Sequence, residues 1–398
     1  MTTTYYLKCV HCKKEWEAAP IYKCPSCKGI LEVTYRYDRV NLTDHSDELK
    51  KMLIYHDGKT SHVLGEGDTA TIELTVTSTR LRIDKLFAKC EFCNPTGSFK
   101  DRPVSAGMKK AKEFGYKKVV VASSGNGAAA VAAYAARMKM DSLILVPEFT
   151  PLEKVKQAQC YGSNVIKVKG PYSRSFDLAV KLTETGDYYN VTTTFFNPYT
   201  VEGDKAIAYE IHEQMETWPD YVVVPIGAGP LLVGIYRGFK ELNTLFQLNR
   251  KLPKMIGVQA SGCAPITKAF NENEARVQPE LNPQTIASGI ADGLDGYPED
   301  GTYTLQVIRD SNGCSVAVDD EEIVFAQKEL AETEGLFVEP SAAATLAAIK
   351  KLRQTLSFEN QSVLLILTGH GLKDMKNIAT SDDIPCIEPD VDELMKKL

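Results

Sequence analysis

The sequence has no excess of basic charge: 46 lysines and arginines stand against 52 aspartates and glutamates, a formal net charge of −6. A nucleic-acid footprint needs a clustered basic excess, so nucleic acid is not an expected partner. Long apolar runs are missing too. No segment approaches the roughly 18 uncharged apolar residues that a membrane span needs, and the opening MTTTYYLKCVHCKKEW holds no apolar stretch of a secretion signal. A cytoplasmic protein without a membrane partner is the expectation. Internal repeats and low-complexity stretches are absent as well. What is present is 43% hydrophobic content over 398 residues, enough for two or three cores and hence for a multi-lobed enzyme.

Ten cysteines without a secretion signal read as thiols or metal ligands rather than disulfides. Cys9, Cys12, Cys24 and Cys27 form C-x2-C-x11-C-x2-C, two short knuckles whose four thiolates suit a tetrahedral zinc. Residues 1–35 are poor in apolar side chains and, taken alone, would lack a core without a metal. His11 is an alternative ligand. A site with four protein ligands leaves no open position, so its expected role is structural.

After a charged connecting segment at 41–62, the chain alternates apolar runs with amphipathic or alanine-rich ones. KKVVVASS, DSLILVPE, SNVIKVKG, YVVVPIG, KMIGVQAS and SVLLILTG read as strands buried on both faces. AAAVAAYAARMKM, VEGDKAIAYEIHEQM, EEIVFAQKELAETEG and SAAATLAAIKKLRQ read as the helices between them. The alternation predicts an α/β fold with mostly parallel sheets. In such sheets ligands bind beyond the carboxyl ends of the strands, where this chain places SSGNGAAA, IGAGPLLVG and TGHGLKD. IGAGPLLVG offers backbone amides and a helix start to an anion. It is not a Walker loop, since no GK[ST] follows, and Pro230 removes one amide while suiting the first helical turn. SSGNGAAA offers two hydroxyls and free amides to a carboxylate. Lys100, in NPTGSFKDR, supplies an amine. A lysine, an anion cradle, a carboxylate seat and a neutral hydroxyl together suit an aldehyde cofactor with a phosphate tail.

NPTGSFKDR (94–102), SSGNGAAA (123–130), EPSAAA (339–344) and TGHGLKD (368–374) resemble the pyridoxal-phosphate enzymes of fold type II. Within them the chain most resembles the threonine synthases, through LGEGDTA (64–70) and the N-terminal CxxC pairs. The resemblance implies a two-lobed enzyme preceded by a zinc-ribbon-like segment. Residues 1–35 would be the ribbon, 36–85 with 206–398 the large cofactor-binding domain, and 86–205 a small mobile domain. It implies that Lys100 carries pyridoxal 5'-phosphate as a Schiff base and later shuttles protons. Asn126 would bond the ring oxygen, and the amides of Gly227, Ala228, Gly229 and Leu231 the phosphate. Thr368 would face the pyridine nitrogen, while Ser123, Ser124 and Gly127 hold the carboxylate of a small amino-acid substrate. A homodimer is implied too.

Four positions depart from the threonine synthase pattern. Pro103 follows KDR where glycine is usual, and GAGPLLVG is closer to the threonine and serine dehydratases. Thr200 replaces the arginine of NPxR, and Ala291 in GIADGLD stands at a second arginine position. A phosphate leaving group is usually held by charge-assisted bonds, for which Lys205, Arg102 or another basic residue is a candidate. Threonine synthase is the first expectation: O-phosphohomoserine and water to threonine and phosphate. A β-eliminating ammonia-lyase or a β-replacement synthase is the alternative, and a catalytically silent scaffold a remote third. His370 is expected to pack beside its loop, and Cys90 and Cys93 to be buried thiols.

Overall fold

The structure, a computed structural model, describes residues 5–36, 64–376, 378 and 384–397. Thirteen strands form three sheets among the described residues. β1 (Tyr5–Cys9), β2 (Glu15–Trp16) and β3 (Leu31–Tyr35) make a small antiparallel sheet. β4 (Thr71–Glu73) and β5 (Lys85–Lys89) come next, followed by β6 (Lys118–Ala122), β7 (Asp141–Pro147), β8 (Asn164–Val168) and β9 (Tyr188–Asn190). The remaining strands are β10 (Tyr221–Pro225), β11 (Lys254–Ala260), β12 (Cys314–Val318) and β13 (Ser362–Ile366). One sheet has the order β12-β11-β10-β13-β5-β4, parallel except at the β4 edge; the other, β8-β7-β6-β9, is parallel throughout. The charged segment at 41–62 lies outside the described residues.

All six runs read as strands are strands, and the four helical runs fall on Asn126–Met138, Val201–Gln214, Asp320–Glu334 and Pro340–Leu352. YVVVP and SVLLI are buried at every residue because helices cover both faces of a parallel sheet. β8 departs from the expectation of burial on both faces. It is an edge strand, and three of its five residues are exposed. Four more strands, β4, β5, β9 and β12, carry no continuous β-branched run like YVVVP and do not stand out in the sequence. β5 matters most, since it pairs with β13 in the six-stranded sheet. The expected boundary at residue 85/86 therefore falls inside a strand, and residues 86–89 belong with the large sheet.

One core spans both sheets, joining Val120 and Leu145 of the smaller to Val222 and Leu364 of the larger. The N-terminal sheet does not stand alone. Leu7, Leu31, Val33 and the sulfurs of Cys9 and Cys24 belong to a cluster with Val104, Met108, Val119 and Val131. The segment thus borrows its apolar partners from the four-stranded sheet and its helices, which corrects the expectation that a metal must substitute for a core. It also reaches the larger sheet's side: Arg237 donates to Val33 O (2.6 Å) and Tyr35 donates to Glu202 (2.9 Å).

Candidate active site

Three glycine-bearing loops leave the carboxyl ends of β6, β10 and β13 and meet the Asn94–Lys100 loop that follows β5. Backbone bonds join the two sequence-distant motifs. Phe99 N donates to Thr368 O (2.9 Å), His370 N donates to Gly97 O (2.9 Å), and Ser98 bridges Gly369. The loop is held from the other side by Asp101, which accepts from the Thr96 amide (2.8 Å) and hydroxyl (2.9 Å). Glu339 of EPSAAA joins the same knot, its amide donating to Gly369 O (2.9 Å). The Glu339 carboxylate packs directly on Gly369, where a Cβ would lie 2.3 Å from its carboxyl carbon and would displace it.

These loops enclose a cavity of about 790 Å³. Lys100, Asn126, Gly227, Ala228, Gly229, Leu231, Thr368, Ser123, Ser124 and Gly127 all line it. Lys100 precedes the helix Asp101–Glu113, and its Nζ donates to Thr193 Oγ1 (2.7 Å). Burial lowers its pKa, while Asp204, Asp292 and Glu339 pull the other way. A lysine with a lowered pKa has a larger nucleophilic, unprotonated fraction. Asp204 behind it is fully buried, with Oδ1 lacking a partner. Burial pushes its pKa up to about 8, more than Lys100 and Arg102 lower it.

Gly229 caps the helix Pro230–Phe246 with φ 97°, and a Cβ there would lie 2.3 Å from the Thr304 side chain, so only glycine fits. The first helical bond is Val233 N to Gly229 O (3.1 Å), so the Leu231 and Leu232 amides before it have no intrahelical acceptor. That is an anion cradle. Asn126 opens the helix Asn126–Met138, and its Nδ2 donates to both Glu339 carboxylate oxygens (3.0 and 3.2 Å). A cradle for phosphate beside a buried, activatable amine fits pyridoxal phosphate.

The family model for pyridoxal-phosphate dependent enzymes matches residues 63–369. Threonine synthase of Methanosarcina acetivorans is 36% identical over 97% of this chain and 96% of its own. Threonine synthase of Methanocaldococcus jannaschii is 36% identical over 98% of each. The chain belongs to the threonine synthase family of pyridoxal-phosphate dependent enzymes. Maize serine racemase shares the fold, with a TM-score of 0.67 and 25% identity over 83% of this chain and 91% of that one.

Against the threonine synthase pattern, two expectations fail. Arg102 does not reach the cavity; it is locked in buried ion pairs with Glu91 (2.7 Å) and Glu210 (2.6 Å). Lys205 is likewise taken by Glu202 (2.6 Å) and Glu241 (2.9 Å). Neither is placed to hold a leaving group. Thr200 is buried outside the cavity, donating to Asn197 O (2.8 Å), whereas Ala291 lines it. His370 packs its ring against Phe92 and Phe337, and its Nδ1 accepts from the Leu372 amide (3.1 Å). Cys90 is buried, and burial pushes its thiol up to about 12. Cys93 is exposed, contrary to the expectation, although Glu91 and Phe92 of the same short turn are buried.

Sequence reasoning passed over Glu339, Asp292 and Thr193. Glu339 sits inside a motif quoted for its resemblance, so its link to Asn126 was open to inspection. Asp292, whose Tyr297 partner donates to it at 2.8 Å, sits beside Ala291 in GIADGLD, and no local motif marks it. Thr193 is one hydroxyl in the run TTT, and nothing local marks it out.

Among the described residues, one group of metal-ligating side chains gathers apart from this cavity: Cys9, Cys12, Cys24 and Cys27, with all four sulfurs within 4.8 Å of one another. His11 is not part of it. No helix among the described residues is long and apolar enough to cross a membrane.

Proposed function

We propose that this enzyme converts O-phospho-L-homoserine and water to L-threonine and phosphate. The observation that carries the reading is the meeting of Lys100, the Gly229–Leu231 cradle and the Ser123–Gly127 loop in one cavity, in a chain similar over nearly its whole length to threonine synthases. Pyridoxal phosphate, when bound, supplies the electron sink for carbanions at the substrate carbons. The cradle amides grip its phosphate, and Thr368 offers the ring nitrogen a neutral partner. Lys100 Nζ, pushed toward neutrality by burial, takes and returns protons on one face of the substrate, with Thr193 Oγ1 fixing where its hydrogens point. The hydroxyls of Ser123 and Ser124 and the Gly127 amide seat the substrate carboxylate. Asn126 is oriented for its ring contact by Glu339.

The small domain, which we place between β5 and about residue 205, closes on the remainder when the carboxylate seat fills, expelling water. A homodimer, on the resemblance alone, and a cytoplasmic location, on the sequence's missing apolar runs, complete the reading. Cys9, Cys12, Cys24 and Cys27 hold a structural zinc: sulfurs paired at 3.5 and 3.6 Å are close to the edge of a tetrahedron with roughly 2.3 Å zinc–sulfur bonds.

A second reading has its own support. The two positions without arginine, Thr200 and Ala291, favour β-elimination or replacement on a serine-like substrate. One assay separates the two. Purified, cofactor-loaded enzyme given O-phospho-L-homoserine should release threonine and phosphate in equal amounts. Absent phosphate, with ammonia and a keto acid appearing from L-serine, would transfer the assignment to the second reading.

A further inference from the structure

The missing arginines leave a question that the cavity itself answers. Among the described residues three lysines line it, Lys100, Lys154 and Lys373, and no arginine does. Lys100 is committed to the cofactor, which leaves two. Lys154 lies on the helix Leu152–Cys160 that follows β7 in the four-stranded sheet, and Lys373 in the turn after β13 of the six-stranded sheet. They approach the cavity from opposite lobes. Lys373 Nζ donates to Thr96 O (2.7 Å) and Gln157 Oε1 (2.8 Å), and its stem lies over Gly97, where a Cβ would meet it at 3.4 Å. Lys154 Nζ stands 4.0 Å from Asp374 Oδ2.

We propose that Lys154 and Lys373 are the specificity-determining cations that hold the substrate's leaving phosphate, in place of guanidinium groups at 200 and 291. The inference rests on the threonine-forming reading for its substrate, although the anion site is testable apart from it. An ammonium acts on phosphate as a point charge with rotatable donors, so two lysines from different elements suit a group that must be gripped and then let go. Gln157 and Thr96 O spend two of the three Lys373 hydrogens, leaving one to point inward. Asp374 keeps Lys154 at the rim. Two further carboxylates of the cavity already have partners, Asp292 in Tyr297 and Glu339 in Asn126. Because the two lysines belong to different lobes, a phosphate between them also draws the lobes together. A substrate without phosphate gains neither contact.

The test uses the full-length, cofactor-loaded protein and two probes. Inorganic phosphate is titrated calorimetrically into wild type and the variants Lys154→Met, Lys373→Met and Lys373→Arg. Wild type should bind saturably, each methionine variant about tenfold more weakly, and Lys373→Arg close to wild type, which guards against a merely structural effect. In steady state, KM for O-phospho-L-homoserine should rise about tenfold or more in the methionine variants while kcat moves less. L-Serine binding, read from the cofactor's visible spectrum, should hold within about twofold. No phosphate binding to wild type, or equal binding by all variants, overturns the clamp, as does an equal loss of L-serine binding. Lysine-dependent phosphate binding without any threonine formed would leave the clamp standing and remove the threonine-forming reading instead.

Discussion

Two pairs of basic residues teach opposite lessons. Arg102 and Lys205 lie close to Lys100 in sequence or in space, yet both are sealed into buried ion pairs and serve the scaffold. Lys154 and Lys373 are far apart in the chain, and the fold brings both to the cavity wall. Nearness to a catalytic motif thus says little about whether a charge is available to a ligand. What decides is whether carboxylates already saturate it. Arg102 has Glu91 and Glu210, and Glu210 is shared with Lys89 (2.7 Å); Lys154 has one carboxylate at 4.0 Å.

The largest way to break this contrast is at Lys100 itself. Lys100→Ala should lower turnover on the order of 10³-fold or more with little change in thermal stability, checked by steady-state assay and melting. Next comes Arg102→Ala, which strands Glu91 and Glu210 in the interior. The expected loss is about 3–5 kcal/mol of folding stability, read from denaturant unfolding. Lys373→Met, which loses only the bonds to Thr96 O and Gln157, should cost less, about 1–2 kcal/mol.

The buried array also has a pH signature. Burial raises the Glu210 carboxyl, but Arg102 and Lys89 outweigh it and hold its pKa at about 2. A depressed carboxylate contributes stability that is fully present above its unfolded value and lost as pH falls through the folded one. Melting temperature should therefore decline from about pH 4.5 toward pH 2, and an Arg102→Met protein should show a shallower decline over that window. The smallest effect belongs to Thr193→Val. Removing one hydrogen-bond acceptor from Lys100 Nζ costs about 1 kcal/mol, so kcat/KM should fall several-fold with a shift in its pH profile. In the N-terminal segment, metal analysis should give one zinc per chain, and a chelator should lower the melting temperature.

Much of this was legible in the residues. Continuous β-branched runs such as YVVVP and SVLLI mark strands buried on both faces, and the small, glycine-bearing loops after them mark the ligand side of the sheets. All ten cofactor and substrate candidates come from such loops or from the lysine motif, and all line one cavity. Less was legible where identity depends on distant partners. KLFAK carries charges at both ends and no β-branched residue, yet it is a strand because β13 and β4 supply its hydrogen bonds. Glu339 acquires its position from Gly369 and Asn126, 30 and 213 residues away along the chain. No local pattern encodes such a meeting. The dependence of the N-terminal segment on the four-stranded sheet and its helices is invisible for a related reason: its apolar residues are few, and their partners lie about 100 residues on.

The most direct test of the central claim is the reaction of O-phospho-L-homoserine in water enriched in oxygen-18. If the enzyme expels phosphate by breaking the carbon–oxygen bond and then adds water, the label appears in the hydroxyl of threonine and the released phosphate stays unlabelled. Label in the phosphate, or release of phosphate without threonine, would contradict it.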